Sequence, residues 1–246
     1  MSGQYYLDPT CSTVTESEAT LGGDEAHHFV RVMRGKVGDE IRLFDGKGLR
    51  FRGVVEMIRK TEIGVRIIET NSKSTESSVR LTVASALPKG ERQKFLIEKL
   101  TELGVARFVP LRCERNVSKV DAAVLAKFRR WVIEASKQSL RTILMEIDDE
   151  KLLDEFGDFS GRKFLPHPVF DTEIGQTVFP NEITGNVLVA VGPQGGFTPN
   201  ETATALRCGF TPIDLGPRFL RTETACFVVA AILLTPGQMS TQCRKV

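Results

Sequence analysis

From residue 79 onward, apolar runs of strand character alternate with helical stretches, and this alternation limits the possible folds more than any other feature of the chain. It predicts strands at residues 79–87, 107–111, 187–191 and 211–215, and helices at residues 91–103, 122–141 and 222–234. A further helix is predicted to begin at Pro199, with Thr198 as N-cap and Glu201 closing a capping box, and to end at Gly209. Alternation of this kind is typical of an α/β fold, in which helices cover a parallel sheet.

Apolar spacing also predicts which helix faces are buried. The helix at 91–103 should stop at Gly104, and the residues it turns inward are Phe95, Leu96, Leu100 and Leu103. The longer helix at 122–141 should bury Leu125, Phe128, Val132 and Ala135.

The first 70 or so residues follow a different pattern. A hairpin is predicted where Asp45-Gly46-Lys47-Gly48 separates strand-like runs at 40–44 and 49–55, and another β-rich run covers 63–68. A short helix is predicted at 24–34, where Ala26, Phe29, Val30 and Met33 recur at helical spacing. This content is typical of a small barrel. The polar stretch 69–78 reads as a linker, so we divide the chain into domains at 1–72 and 73–246.

Composition limits the classes of partner. A chain of 246 residues that is 41% hydrophobic and 26% charged has the make-up of an ordinary globular protein with a substantial core. Its formal net charge is only +2, so any nucleic-acid binding has to come from local basic patches.

Cysteine usage and apolar run lengths bear on the compartment. The five cysteines are scattered without a CxxC pair, so neither a disulfide framework nor a zinc ribbon is predicted, and a cytoplasmic location is expected. The first residues lack a basic segment followed by an apolar one, so no signal peptide is predicted. The longest apolar run, 226–234, is shorter than the roughly 20 residues that span a bilayer, so no membrane partner is expected.

The first candidate site is the glycine loop, Gly192-Pro193-Gln194-Gly195-Gly196-Phe197, which lies between a predicted strand and a predicted helix. Its glycines would let a ligand approach the backbone closely, at the strand end where open α/β sheets bind ligands. A tight turn without a ligand is the alternative. The loop lacks the GxGxxG spacing of a dinucleotide site, and no GK[ST] follows it.

The second candidate site is the arginine loop, residues 215–224, where a Gly216-Pro217 turn again joins a strand to a helix. Arg218 and Arg221 lie beside a helix N-terminus, where the helix dipole disfavours cations. Their position favours an anionic partner, although pairing with Glu223 or with other carboxylates of the chain is an alternative. Because both loops follow parallel strands, they can meet in one pocket at the same sheet edge.

Other polar residues give weaker signals. Lys127, Arg130, Lys137 and Arg141 share a face of the long helix, which indicates either a solvated face or an RNA contact. The adjacent His27 and His28 lack the spacing of a helical metal pair, and no metal site is predicted. Ser136 and Ser139 lie within a helix rather than on a nucleophile elbow, so group transfer from a bound cofactor suits the chain better than covalent hydrolysis.

Taken together, the motifs resemble the bacterial ribosomal RNA small-subunit methyltransferase E family, which belongs to the SPOUT methyltransferases. The resemblance lies in stretches that occur in family order over nearly the whole chain, at residues 27–34, 37–41, 86–90, 99–104, 115–119, 130–141, 192–198 and 215–225. The chain departs from the family at Gln194, where glutamate is usual, and at Lys137 and Leu140.

The resemblance implies a fold, a cofactor and a substrate. It implies an N-terminal PUA-like β-barrel for RNA and a C-terminal SPOUT domain whose parallel sheet ends in a trefoil knot, an exception to ordinary chain topology. It also implies a homodimer that uses S-adenosylmethionine to methylate N3 of a uridine in small-subunit ribosomal RNA, either free or in the assembled subunit. Two alternatives are a SPOUT methyltransferase acting on another RNA atom, such as the ribose 2′-oxygen, and a non-catalytic RNA-binding or ribosome-assembly protein.

The resemblance also assigns residues to roles. The implied cofactor contacts are Gly192, Pro193, Gly195, Gly196, Leu215, Gly216, Arg218, Leu220, Thr224 and Ala225. The implied RNA contacts are Arg31, Arg34, Lys89, Arg115 and Lys119. For the reaction, Arg221 or Arg141 would stabilise the negative charge left when N3 loses its proton, and Glu223 would accept that proton or orient Arg221. No metal is required.

Overall fold

The computed structural model describes residues 4–73, 76–116, 120–166 and 183–235, and the chain divides into two units. Unit 1 comprises Met1–Glu76 and Ile133–Leu144, and unit 2 comprises Ser77–Val132 and Met145–Val246. Residues 133–144, which the sequence places in the second domain, therefore group with the N-terminal unit.

Unit 1 is built on one six-stranded sheet. Its strands are β1 (Tyr5–Tyr6), β2 (Thr13–Val14), β3 (Glu18–Gly22), β4 (Glu40–Phe44), β5 (Arg50–Ile58) and β6 (Glu62–Asn71). They lie in the order β1-β4-β5-β6-β3-β2, antiparallel except for the β1–β4 pair. The order is linear, so the predicted barrel is a curled half-barrel. The predicted hairpin is confirmed, because β4 pairs with β5 across residues 45–49.

Two predictions in unit 1 need correction. The predicted helix at 24–34 is a short α1 (Gly23–His27) followed by a π-helical turn (His28–Val32). In that wider turn the Met33 amide donates to the carbonyl of His28, five residues back, so side chains no longer recur at the α-helical period. Phe29 is therefore buried while Met33 is 49% exposed. The predicted linker also starts too early, since β6 continues to Asn71.

Unit 2 is a parallel α/β layer structure, as predicted. Its strands are β7 (Val79–Ser85), β8 (Arg107–Pro110), β9 (Glu146–Ile147), β10 (Arg162–Pro166), β11 (Gly185–Val191) and β12 (Thr211–Ile213). They lie in the order β12-β10-β11-β7-β8-β9, and every pair is parallel. The central strands β7 and β11 pair along their whole length and are buried except at Arg80, Gly185 and Asn186, as expected for strands covered on both faces.

After residue 76 the described helices are α2 (Arg92–Glu102), α3 (Ala122–Ser139), α4 (Pro199–Arg207) and α5 (Thr222–Leu234), with a 3₁₀ turn at Leu153–Phe156. The predicted inward face of α3 is confirmed. In α2, Leu96 and Leu100 are buried, but the prediction for Phe95 is wrong because its side chain is 48% exposed. Its ring instead contacts the edge of the Phe227 ring on α5, with centroids 5.5 Å apart. Within the described ranges, no helix is long and apolar enough to cross a bilayer.

The predicted basic face of α3 is only partly exposed: Lys127 and Arg130 are exposed, whereas Lys137 and Arg141, the latter just beyond the end of the helix at Ser139, are not. Within unit 1, Lys137 Nζ donates to Glu25 Oε1 at 2.7 Å, and the Arg141 guanidinium donates to both carboxylate oxygens of Glu76 at 2.9 and 2.6 Å. Both cations are largely buried in these pairs. Lys137 and Arg141 thus hold the C-terminal part of α3 in unit 1, and the interpretation as an open helix face is wrong for them.

Candidate functional site

The glycine loop begins directly where the buried strand β11 ends. The amide of Gly196 donates to the carbonyl of Pro193 at 2.8 Å, which closes a tight turn. Gly196 has φ +67°, in the left-handed region that glycine adopts at little energetic cost. A Cβ at this position would meet no protein atom within 4 Å. The backbone of the loop therefore borders open space.

Helix α4 follows the glycine loop through the predicted capping box. Thr198 Oγ1 accepts a hydrogen bond from the amide of Glu201, and Glu201 Oε2 accepts one from the amide of Thr198 at 2.7 Å. Two amides that lack helical partners are thereby satisfied. This cap fixes where the loop ends and where the helix begins.

The arginine loop starts after β12 in a similar way. Asp214 Oδ1 accepts a hydrogen bond from the amide of Gly216 at 2.8 Å, and Gly216 takes φ +104°. The chain then passes Arg218 and Phe219, the latter 78% exposed, before α5 begins with Arg221 as the N-cap. No side chain of the loop caps this helix.

The two loops meet at the carboxyl edge of the sheet. Thr222 Oγ1, at the start of α5, donates to the carbonyl oxygen of Gly192 at 3.0 Å. Between the loops lies a cavity of about 550 Å³, within the usual range for small-molecule sites. All of the predicted cofactor contacts except Thr224 line it: Gly192, Pro193, Gly195, Gly196, Leu215, Gly216, Arg218, Leu220 and Ala225. Thr224 is exposed on α5.

The cavity wall also contains residues that were not among the predicted cofactor contacts. Pro166, Asp214 and Phe219 line it. Pro166 ends β10, a strand missing from the prediction, whereas Asp214 and Phe219 could have been found because each lies within two residues of a predicted contact. Gln194, where the resembling family usually has glutamate, lines the cavity as well and is exposed.

The proposed catalytic residues are spread over different environments. Arg221 is exposed at the N-terminus of α5, and none of the described residues forms an ion pair with it. Glu223 is only 8% exposed and pairs with Arg92 of α2 at 3.8 Å, and among the described residues neither Arg218 nor Arg221 forms an ion pair with it. Neither Arg221 nor Glu223 lines the cavity, although Leu220 and Thr222 on either side of Arg221 do, and Arg141 belongs to unit 1.

The predicted RNA contacts also separate into groups. Arg31, Arg34 and Lys89 are exposed, as an RNA contact requires. Arg115 is exposed too, but its guanidinium donates to the carbonyl oxygen of Gly195 in the glycine loop. Lys119 lies outside the described residues.

Thiol chemistry has little support at this site. Cys226 on α5 is buried against β7, where its Sγ donates to Ser85 Oγ at 3.4 Å. Burial raises the pKa of this thiol to about 12, so it stays protonated at neutral pH and is no nucleophile. Nowhere in the described part of the chain do three or more His, Cys, Asp or Glu side chains come together as metal ligands.

Comparison with known proteins places these features among RNA-modifying enzymes. Residues 75–234 match the RNA methyltransferase domain family, and residues 21–68 match the RNA methyltransferase PUA domain family. Ribosomal RNA small subunit methyltransferase E from Bacillus subtilis is 30% identical over 90% of this chain and 92% of the relative, and that from Synechocystis is 32% identical over 92% and 76%.

Solved structures agree with this similarity. Ribosomal RNA small subunit methyltransferase E from Neisseria gonorrhoeae, bound to S-adenosyl methionine, superposes with a TM-score of 0.85 at 26% identity, covering 96% of this chain and 98% of that one. A Legionella pneumophila protein in complex with the bound cofactor SAM gives a TM-score of 0.83 at 29% identity, covering 95% and 97%.

Proposed function

We propose that this chain, which belongs to the ribosomal RNA small subunit methyltransferase E family and is therefore an RNA methyltransferase, uses S-adenosylmethionine to methylate N3 of a uridine in small-subunit ribosomal RNA. The observation that carries the proposal is the convergence of the glycine and arginine loops around one cavity at the carboxyl edge of the parallel sheet. A chain that only bound RNA would have no use for two ligand-accessible glycine turns at this edge.

The lining of the cavity fits the cofactor. Gly196 and Gly216 have positive φ and no protein atom where a Cβ would stand, so a ligand can approach their backbone polar groups closely. Leu215 and Leu220 supply apolar wall, and Asp214 is a carboxylate that can accept hydrogen bonds from hydroxyl or ammonium groups. When bound, the cofactor supplies an electrophilic methyl group on a sulfonium centre.

The chain's own residues would prepare the uridine. N3 of neutral uracil carries a proton and is a poor nucleophile, so this proton has to pass to water as the methyl group is transferred. The negative charge left on the flanking carbonyl oxygens has to be stabilised. Arg221 is the cation we assign to this task, because it is exposed beside the cavity rather than held in an ion pair among the described residues. Holding N3 in line with the methyl group supplies a further part of the rate.

Glu223 and Arg141 are given roles other than direct catalysis. The Glu223 carboxylate is almost completely buried and pairs with Arg92 of α2, so we assign it to joining the start of α5 to α2. The pairing of Arg141 with Glu76 gives Arg141 a structural role in unit 1.

RNA binding is assigned to exposed cations on both units. On unit 1, Arg31 and Arg34 flank the exposed apolar side chains of Val32 and Met33 at the end of the π-helical turn. Cations there can contact phosphates while apolar side chains contact unstacked bases. On unit 2, the exposed Lys89 is assigned to phosphate contacts as well. The RNA contact of Lys119 stays a prediction.

The trefoil knot, the homodimer and the cytoplasmic location are parts of the same proposal. Helix α5 follows the edge strand β12, yet its Cys226 contacts Ser85 on the central strand β7, which fits a chain that returns through its own loops. The partly exposed apolar side chains Phe95, Phe227 and Ile232 on α2 and α5 fit a second copy of the chain.

The test is to delete the gene and analyse the nucleosides of small-subunit ribosomal RNA by mass spectrometry. Loss of one N3-methyluridine, restored by the wild-type gene, is the expected result. Loss of a 2′-O-methylated nucleoside instead would identify the alternative SPOUT chemistry. A purified protein that binds ribosomal RNA but gives no heat with S-adenosylmethionine would identify a non-catalytic binding protein.

A further inference from the structure

The segment that follows β8 contacts the glycine loop from outside the cavity. Arg115 Nη1 donates to the carbonyl oxygen of Gly195. A Cβ built on Gly195 would lie 3.3 Å from Arg115 Cδ, so the stem of the arginine packs against the same residue that its head group binds. Arg115 is not among the residues lining the cavity. It therefore supports the wall without taking space from a ligand.

A second contact joins the same two segments. Glu201 Oε2 accepts a hydrogen bond from the Thr198 amide at 2.7 Å, and Glu201 Oε1 accepts one from the Glu114 amide at 2.9 Å. One carboxylate thus holds both the start of α4 and the residue that precedes Arg115. With the Thr222 bond to Gly192, the glycine loop is held at its beginning, its middle and its end.

We propose that Arg115 is a positioning residue for the cofactor, which fixes the glycine loop in its binding conformation by holding the carbonyl of Gly195. The inference rests on the proposed function, because it assumes that S-adenosylmethionine binds this cavity. Glycine-rich turns lose much backbone entropy when they become ordered, and that loss weakens binding unless the turn is ordered beforehand. A hydrogen bond from a guanidinium is strong enough to order it in advance.

The role differs from the RNA contact that the motif resemblance implies for Arg115. If Arg115 bound RNA, its replacement would lower the affinity for RNA and leave the conformation of the glycine loop unchanged. A positioning residue would act on the loop and on cofactor affinity even when no RNA is present. The two roles therefore predict opposite outcomes in separate binding measurements.

The test compares Arg115→Ala and Arg115→Lys with the control Arg112→Ala in the full-length protein. Arg112 is an exposed arginine in the same segment, and it pairs with Glu150 rather than with the glycine loop. Affinity for S-adenosylmethionine is measured by calorimetry without RNA, and affinity for a small-subunit ribosomal RNA transcript is measured without cofactor. Hydrogen exchange of residues 192–198 is measured with neither ligand.

For Arg115→Ala, we expect cofactor affinity to fall about tenfold, the size of one charge-assisted hydrogen bond, and exchange in the glycine loop to rise. Arg115→Lys keeps one donor and should lose about threefold. RNA affinity should change less than about twofold, and kcat should recover at saturating cofactor, since the loop is repositioned by mass action. Arg112→Ala should match wild type in every measurement.

Two results would overturn the proposal. If Arg115→Ala lowers RNA affinity while cofactor affinity and loop exchange stay unchanged, Arg115 is an RNA ligand. If none of the three measurements changes, the contact with Gly195 has no role. Failure of the proposed function looks different: wild-type protein would then bind no S-adenosylmethionine, while the exchange measurement would still decide whether Arg115 holds the loop.

Discussion

Replacing Gly196 by alanine should weaken the binding of S-adenosylmethionine about tenfold. Gly196 lines the cavity with φ +67°, and no protein atom lies within 4 Å of the place where its Cβ would stand. The new methyl group would therefore project into space that a bound ligand approaches. Loss of one backbone hydrogen bond to that ligand weakens binding by about 1.4 kcal/mol, which corresponds to the tenfold change.

Gly185 provides a matched control for backbone strain. It has φ +77° and equally open space around its Cβ position, but it begins β11 and does not line the cavity. In both positions an L-residue in the left-handed region costs about 1 kcal/mol of folding free energy, or about 2–4 °C in Tm for a protein of this size. Thermal unfolding should therefore be similar for Gly196→Ala and Gly185→Ala, while calorimetry should show a loss of cofactor affinity only for Gly196→Ala. Equal affinities for the two variants would refute the assignment of the cavity.

Three further predictions follow from the site and from unit 1. Arg221→Ala should lower kcat about 100-fold in steady-state methylation assays and leave cofactor affinity within about twofold, because the charge of Arg221 acts on the RNA base. Burial alone would lower the pKa of Lys137, but the hydrogen bond and charge of Glu25 outweigh it and raise the pKa above the ordinary 10.5. The stabilisation by Lys137 is thus fully present below pH 10.5 and lost as pH rises through the folded-state pKa, so the difference in unfolding free energy between wild type and Lys137→Met should shrink over that range in urea titrations. At about pH 8, iodoacetamide should modify the exposed Cys11 of native protein but not the buried Cys226, as peptide mass spectrometry would show.

Each of these predictions has an outcome that contradicts it. Arg207→Ala, which removes an exposed cation at the far end of α4, serves as the control for Arg221→Ala, and an equal loss of kcat in both would mean a general charge effect. If the difference in unfolding free energy between wild type and Lys137→Met grew above pH 10.5, the pKa of Lys137 would not be raised in the folded state. Modification of Cys226 as fast as Cys11 would mean that α5 opens readily from the sheet.

The parts of the structure that the sequence predicted are those decided by local interactions. The capping box at Thr198 and Glu201, the hairpin at 45–48 and helix α5 all depend on residues within one or two turns of each other. The location of both loops at one sheet edge could also be predicted, because the carboxyl ends of parallel strands lie on the same edge. Their convergence depends in addition on the strand order, in which only β10 separates β11 from β12.

The parts that escaped prediction depend on partners far away along the chain. Strand β10 begins with Arg162 and Lys163 and ends in a proline, so its composition does not indicate a strand, and its pairing with β11 and β12 makes it one. The pairing of Arg92 with Glu223, and of Arg115 with Gly195, joins residues that are 131 and 80 positions apart, and no periodicity encodes such contacts.

The membership of residues 133–144 in unit 1 has a consequence for anyone who wants to express the RNA-binding part alone. The side-chain amide of Gln4 donates to the carbonyls of Ser136 and Arg141, and both acceptors would be missing from a fragment that ends at residue 76. Such a fragment would lose both of these hydrogen bonds and would expose side chains that residues 133–144 cover in the full chain. An autonomous version needs residues 133–144 as well as 1–76, and adding a separate peptide of residues 133–144 to the 1–76 fragment should rescue its folding.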